Sequence, residues 1–220
     1  MGPVHDFKPL LPQLLRGLET AGAVRRFRPD EIPRDVLESL IFYSTRAPSG
    51  GNRQPWEFIV VTDPTIRSEL GHHYLDAVRE ANEPVLALST DPEQKRILQS
   101  AISLANRLPE VPVLIVVCVR LVNDDIAQTL GRKRTLESEL TSVLPAVQNL
   151  LLAARAYGLG AVLTTALRHR QEAVRSILHL PNDVEVVCSI PVGLPVNPEG
   201  AFSPLTNRRP VVEVLHWDRY

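Results

Sequence analysis

The chain has 220 residues, 44% hydrophobic and 22% charged, a mixture that favours one packed domain over 1–220 and argues against a disordered chain. Twenty-four Lys and Arg balance 25 Asp and Glu, so the net charge is -1 and no overall positive field favours a nucleic-acid partner. Both cysteines lie in apolar runs without metal-ligand spacing, and no run reaches the roughly 18 apolar residues of a membrane span, so we expect buried thiols, no metal and a cytoplasmic protein.

Helical and strand-like patterns alternate through the first half of the chain. Leucines at helical spacing predict a helix over 10–20, and another apolar face predicts one between Pro33 and Pro48. The run WEFIVVTD, at 56–63, indicates a buried strand, and 65–81 is helical again. The pattern then weakens, so we expect a variable surface excursion near 82–107, with a helix from about residue 95.

The second half contains the strongest strand and the most apolar helix. The run VPVLIVVCVRLV, at 111–122, is typical of a central strand. A long helix over 140–160 is apolar on more than one face between 143 and 156, which predicts burial in the core or by a partner chain. A short strand at 161–166, a helix at 171–178 and a strand at 183–195 follow, and the apolar tail at 207–220 is expected to dock.

Several familiar kinds of active site are absent from the sequence. There is no GxGxxG or GxxxxGK[ST] loop, which disfavours Rossmann dehydrogenases and P-loop NTPases. There is no HExxH motif and no GxSxG elbow, which disfavours zinc proteases and serine hydrolases. The pattern therefore predicts an α+β sheet packed between helices, with no catalytic set of side chains.

Five segments occur in a particular order, although each alone is explained by a glycine turn, a buried strand or exposed arginines. They are VRRF at 24–27, APSGGNRQPWEF at 47–58, AYGLGAVLTTA at 156–166, LPNDVEVVCSIPVGLP at 180–195 and NRRPVVEVLHW at 207–217. In this order they resemble the nitroreductase family across nearly the whole chain.

The resemblance implies a nitroreductase-like α+β fold with a central, mostly antiparallel sheet flanked by helices, and an interlocked homodimer with two FMN sites at its interface. It implies hydride transfer from NADH or NADPH, through flavin N5, to a nitroaromatic, quinone or enone. Two alternatives stay open: a flavin-cleaving or oxygen-activating member of the family, and a non-enzymatic flavin-sequestering protein.

The resemblance also assigns cofactor contacts to particular positions. Arg25 corresponds to the residue at the flavin pyrimidine edge, and the basic pair near the C-terminus to the phosphate ligands. The full set of expected FMN contacts is Arg25, Arg26, Pro48, Ser49, Gly50, Asn52, Gln54, Thr164, Thr165, Ala166, Arg208 and Arg209. One departure stands out: the family's Arg-Arg-Ser is replaced by Ala21, Gly22 and Ala23, so we expect weaker phosphate binding or a substitute at Arg26.

Overall fold

A computed structural model describes residues 11–121, 135–202 and 208–220; Leu10, Val122 and Asn207, which belong to predicted elements, lie outside these ranges. Four strands form one antiparallel sheet in the order β1-β2-β4-β3. The strands are β1 (Trp56–Val61), β2 (Val113–Arg120), β3 (Gly160–Ala161) and β4 (Val184–Gly193). The predicted α+β class with an antiparallel sheet is confirmed.

Strand β2 lies inside the sheet and is buried on both faces. Successive side chains of a strand point to opposite faces. Ile115 and Val117 therefore enter one hydrophobic cluster, whereas Leu114 and Val116 enter a second one across the sheet. Helices cover both faces, which explains why this strand is apolar without alternation.

Seven helices surround the sheet in the described part of the chain. They are α1 (Pro12–Thr20), α2 (Arg34–Ser44), α3 (Pro64–Leu88), α4 (Pro92–Asn106), α5 (Leu136–Ala156), α6 (Gln171–Leu178) and the single turn α7 (Pro198–Ala201). Helices α2 and α5 cover one face, and α3, α4 and α6 cover the other. The long helix begins at a capping box, in which the side chains of Thr135 and Ser138 each accept a hydrogen bond from the other residue's backbone N–H.

Helix α3 continues from residue 81 to Leu88, into the segment where the weaker pattern led us to expect a surface excursion. Pro84 lies inside this helix and lacks the N–H of one intrahelical hydrogen bond. Packing against α4 offsets that loss: Leu86 and Ile102 line one shared groove between the two helices. Only residues 89–91 separate α3 from α4, and the Asp91 carboxylate accepts the amide of Glu93 at 2.9 Å to cap α4.

Two other predicted segments differ from expectation. The strand predicted at 161–166 pairs only over Gly160–Ala161, after which Thr164 forms an isolated bridge with Ser189. The C-terminal tail does not dock within one chain, since Val212 and Trp217 are 82% and 80% exposed. In the described ranges, no helix is long and apolar enough to cross a bilayer.

Candidate functional site

Arg25 lies where the chain entering the domain crosses the end of β3. The Val24 amide donates to the Ala161 carbonyl at 3.0 Å. Gly160 permits this approach, because a Cβ at that position would lie 2.6 Å from Val24 Cγ1. The close packing of two backbone segments therefore fixes Arg25 beside the sheet, with its side chain half-buried.

Two cavities meet at Arg25. The first, here called the threonine cavity, has a volume of about 260 Å³ and reaches from α3 to Thr164, Thr165 and Ala166. The second, the arginine cavity, has a volume of about 240 Å³ and reaches past Ala21–Ala23 to Arg208. Arg25, Val162 and Leu163 line both cavities, so the two volumes are adjacent parts of one site.

The threonine cavity contains an ordered set of polar groups. The Tyr74 hydroxyl donates to Thr164 Oγ1 at 3.0 Å, and the Thr164 amide donates to the Ser189 carbonyl at 3.0 Å. The Thr165 amide has no hydrogen-bond partner in the described part of the chain. Because Thr165 lines this cavity, its unused amide is a candidate donor to a polar ring bound there.

Burial shapes the charges at this site. It raises the pKa of Tyr74, against the opposing effects of the Thr164 hydrogen bond and the Arg25 charge, so the phenol stays neutral near pH 7. It lowers the pKa of Arg25, an effect that Tyr74 partly offsets. Arginine is not deprotonated in proteins, so Arg25 carries a positive charge.

The arginine cavity is positively charged. Arg25, Arg155 and Arg208 line it together with the small residues Ala21–Ala23, and no Asp or Glu is among its described lining residues. Arg155 comes from the last turn of α5. A cavity with three guanidinium groups and no carboxylate favours an anion.

The loop at residues 48–54, which was expected to contact FMN, adopts a strained turn. Gly51, Asn52 and Gln54 all have positive φ, near 59°, 52° and 52°. The Ser49 hydroxyl holds the turn by accepting the Gln54 amide at 3.0 Å. A non-glycine residue at positive φ is uncommon, so two of them within three residues mark this loop as a place where the fold fixes an unusual shape.

The same loop is anchored to the first half of α5. The Gly50 amide donates to Ser142 Oγ at 3.2 Å, and Arg53 Nη2 lies 3.1 Å from Oε1 of buried Glu139. The arginine cavity touches the other end of α5, at Arg155. With a rise of 1.5 Å per residue, Ser142 and Arg155 lie about 20 Å apart along the helix. Within one chain, the loop and the arginine cavity therefore lie at opposite ends of α5.

The remaining expected residues lie at the margin or apart. Arg26 is exposed and lines a third, smaller cavity of about 60 Å³, which Arg25 and Glu110 also line, and it is not among the residues that line the arginine cavity. Arg209 pairs with Glu213, with Nε 3.2 Å from Oε2. Among the described residues, no group of three His, Cys, Asp or Glu side chains is placed to hold a metal ion.

A larger cavity lies elsewhere, between α2 and the edge of the sheet. It has a volume of about 760 Å³ and is lined by residues including Glu31, Arg34, Glu38, Val60 and Thr62. None of the expected site residues belongs to it. Because Glu31 and Glu38 line it together with Arg34, it is less suited to an anionic ligand than the arginine cavity is.

Sequence reasoning missed Tyr74 and Arg155. Tyr74 shares a helical face with Leu70, Ala77 and Val78, so its spacing is that of an ordinary core residue. Arg155 follows an apolar helix at a position where a basic residue usually serves the helix end and the solvent. Only the three-dimensional arrangement distinguishes these side chains from such common roles.

Comparison with known proteins places the chain among flavoenzymes and their relatives. The sequence model described as "Nitroreductase family" matches residues 21–194. The 5,6-dimethylbenzimidazole synthase of Rhodospirillum rubrum is 31% identical over 172 residues, covering 78% of this chain and 77% of that protein. The NADH dehydrogenase of Thermus thermophilus is 27% identical over 201 residues, covering 89% and 91%.

A solved structure gives the same result for the fold. Oxidised iodotyrosine deiodinase bound to FMN and 3-iodo-L-tyrosine superimposes with a TM-score of 0.72, covering 94% of this chain and all of that one. The two sequences are 22% identical, so this likeness concerns the fold alone.

Proposed function

Because this chain belongs to the nitroreductase family, we propose that it is an FMN-dependent oxidoreductase that passes hydride from NADH or NADPH to a small electrophilic acceptor. The observation that carries this is the pair of cavities that meet at Arg25, one with an unused Thr165 amide and one with three arginines. Such a site suits a ligand with a polar ring at one end and an anion at the other. Each cavity alone is smaller than the roughly 300–1,000 Å³ of ordinary ligand sites, whereas the two together fall within that range.

The residues present fit FMN in chemical type. The threonine cavity would take the ring, and the arginine cavity would take the ribityl chain and its phosphate. Arg25, which lines both, would meet the pyrimidine edge of the ring. When bound, FMN supplies the hydride chemistry at N5.

The chain's own residues would bind and orient the cofactor. Arg25 would place a positive charge near the ring, where negative charge develops on reduction, and would thereby favour the reduced state. The Thr165 amide offers a hydrogen bond at the ring, and the Tyr74 hydroxyl steadies the neighbouring Thr164 at 3.0 Å. No side-chain acid or base is required, which agrees with the absence of a catalytic constellation from the sequence.

The same geometry supports a homodimer. Ser142, which anchors the loop at 48–54, lies about 20 Å along α5 from Arg155 in the arginine cavity of the same chain, and Gly50, Asn52 and Gln54 are exposed. A two-fold dimer would bring the loop of each chain to the cavities of the other. The exposed apolar side chains of α1 and of the tail, among them Leu11, Leu14, Val212 and Trp217, are surface that such a partner would bury.

Flavin retention tests the cofactor. Purified protein is mixed with excess FMN, desalted and examined for flavin absorbance, and then titrated without oxygen with NADH and NADPH separately. We expect retained flavin that is bleached by at least one nicotinamide. A colourless protein after desalting would contradict the proposal.

The acceptor and the alternatives are tested on the reduced protein. Addition of a nitroaromatic, a quinone or an enone should restore the oxidised spectrum with stoichiometric product. Permanent loss of the flavin spectrum under oxygen would instead favour the alternative of a flavin-cleaving member of the family. Bound flavin that neither nicotinamide reduces would favour a sequestering protein.

A further inference from the structure

The arginine cavity contains a cation that the sequence comparison did not anticipate. Arg155 faces the wall formed by Ala21, Gly22 and Ala23, three positions whose side chains offer no hydrogen-bond donor. Arg26, the substitute expected from the sequence, lines a different cavity. The position of Arg155 matters because the missing family arginine would have supplied charge on this side.

Two contacts fix the Arg155 guanidinium in place. Its Nε donates to Thr20 Oγ1 at 3.0 Å, and the fully buried Thr20 hydroxyl donates to the Arg16 carbonyl at 2.7 Å. The guanidinium carbon lies 4.0 Å from the centre of the Phe202 ring, a cation-π contact. The head group is therefore oriented before any ligand arrives.

The outer nitrogens of this guanidinium are unused. Within residues 11–121, 135–202 and 208–220, neither Nη atom of Arg155 has a hydrogen bond or an ion pair. A guanidinium held through Nε presents its two Nη groups as a fork that matches two phosphate oxygens. No carboxylate among the described lining residues competes for that fork.

The position of Arg155 at the end of α5 is a second reason why a positive charge is needed there. Arg155 lies in the last turn of α5, where the backbone carbonyls carry partial negative charge. A phosphate brought to this end of a helix is repelled unless a cation stands between it and the carbonyls. Arg155, which lies on this last turn and lines the cavity, would offset that repulsion.

We propose that Arg155, together with Arg208, binds the terminal phosphate of FMN and takes the role of the arginine that is absent at position 21. This rests on the proposed function, since it requires FMN in the site. It changes the expectation drawn from Ala21–Ala23: the phosphate is gripped from α5 instead of from the segment before Arg25.

Comparison of FMN with riboflavin isolates the phosphate, because the two ligands differ only in that group. Apoprotein stripped of flavin is titrated with each ligand while flavin fluorescence is followed. Arg155→Met keeps the apolar stem over Phe202 and removes the fork. We expect about ten- to hundred-fold weaker FMN binding, as for loss of a charged hydrogen-bonding partner, and an unchanged Kd for riboflavin.

Controls separate phosphate binding from structural damage. Arg96→Met removes the same charge from an exposed site on α4 and should change neither Kd. Arg155→Lys retains the charge without the fork and should lose several-fold in FMN affinity only; this variant also serves if the methionine variant fails to fold. Adding Ala21→Arg to the Arg155→Met chain should restore much of the FMN affinity.

The outcomes distinguish the two claims. Wild-type protein that binds neither flavin would overturn the proposed function. Wild-type protein that binds FMN, with variants that lose FMN and riboflavin affinity by equal factors, would overturn the role of Arg155 in phosphate binding and assign it to structure. Equal affinity of the wild type for both flavins would overturn it as well.

Discussion

Tyr74 joins the core to the candidate site through a single hydroxyl. It is 2% exposed and donates to Thr164 Oγ1, the side chain next to the unused Thr165 amide. Tyr74→Phe removes this donor and leaves the packing almost intact, so we expect a loss of about 0.5–1.5 kcal/mol in the free energy of unfolding. Urea unfolding measures it.

Tyr43→Phe is the matched control for Tyr74. Its ring is 48% exposed and its hydroxyl makes no hydrogen bond within the described residues, so stability should change by no more than about 0.5 kcal/mol. Equal effects of the two substitutions would show that the Thr164 hydrogen bond contributes nothing measurable.

The two buried thiols make the free energy of unfolding depend on pH in the alkaline range. Burial raises the pKa of Cys118 and of Cys188 to about 12, from an ordinary value of 9.0. Their contribution to the free energy of unfolding is complete below about pH 9. It is lost as the pH rises towards 12, because the unfolded chain then releases thiol protons that the folded chain keeps. The free energy of unfolding of the wild type should therefore fall with pH over this window.

A cysteine-free variant isolates that effect. Cys118→Ala with Cys188→Ala lowers stability at neutral pH by leaving small cavities, yet its stability should fall less steeply between about pH 9 and about pH 11. Urea unfolding across this range measures both slopes. Parallel slopes would show that the thiols titrate alike in the folded and unfolded chains.

At the scale of the elements, the sequence predicted the strands and most of the helices from their periodicity. Strand β2 was recoverable because it is apolar throughout, and α5 because few of its faces are polar. The end of α3 was not recoverable, since local signals around Pro84 favour a break and the packing against α4 that opposes it is a long-range contact.

The site was recoverable in part for the same reason. The loop at 48–54 and Thr164–Ala166 carry recognisable local patterns, so the resemblance found them. Arg155 and Tyr74 have no local pattern that separates them from ordinary helical residues. Their proximity to Arg25 depends on how three distant segments cross, which no single window of sequence contains.

The close packing of β3 against the segment at Ala23–Arg25 can be tested by substitution. Gly160→Ala places a Cβ 2.6 Å from Val24 Cγ1, so the two segments must separate. We expect a loss of about 1–3 kcal/mol in stability, as for overpacking, together with weaker flavin binding because Arg25 moves. Urea unfolding and a fluorescence titration with FMN measure the two effects.

Gly17→Ala on α1 provides the contrast. No atom lies within 4 Å of a Cβ built there, and alanine favours the helix over glycine by about 1 kcal/mol. Stability should rise or stay constant, with flavin affinity unchanged. A loss at Gly17 equal to that at Gly160 would mean that the steric argument at Val24 is wrong.

At the scale of the whole molecule, the division of the site between loop and cavities predicts complementation. One variant, Asn52→Ala with Ser49→Ala, damages the loop; another, Arg25→Met, damages the cavities. Each alone should bind FMN poorly. Unfolded together and refolded, they should regain wild-type affinity in about a quarter of all cavities, because half of randomly paired dimers are mixed and each mixed dimer has one intact site.

The measurement is a flavin titration of the refolded mixture, with light scattering to give the mass of the assembly. Refolding each variant separately is the control. Absence of any high-affinity fraction, in a mixture that has the mass of a dimer, would show that the loop and the cavities of different chains do not cooperate.

The distance of about 20 Å between the loop anchor at Ser142 and Arg155 has a consequence for how the protein behaves in a dilute extract. If two chains hold each flavin between them, retention of the cofactor depends on the concentration of the chain, because that concentration sets the fraction of dimer. Dilution below the dissociation constant of the pair releases flavin even at constant affinity within an assembled site. Expression level then sets specific activity per chain, and a slow loss of colour on dilution reports dissociation of subunits.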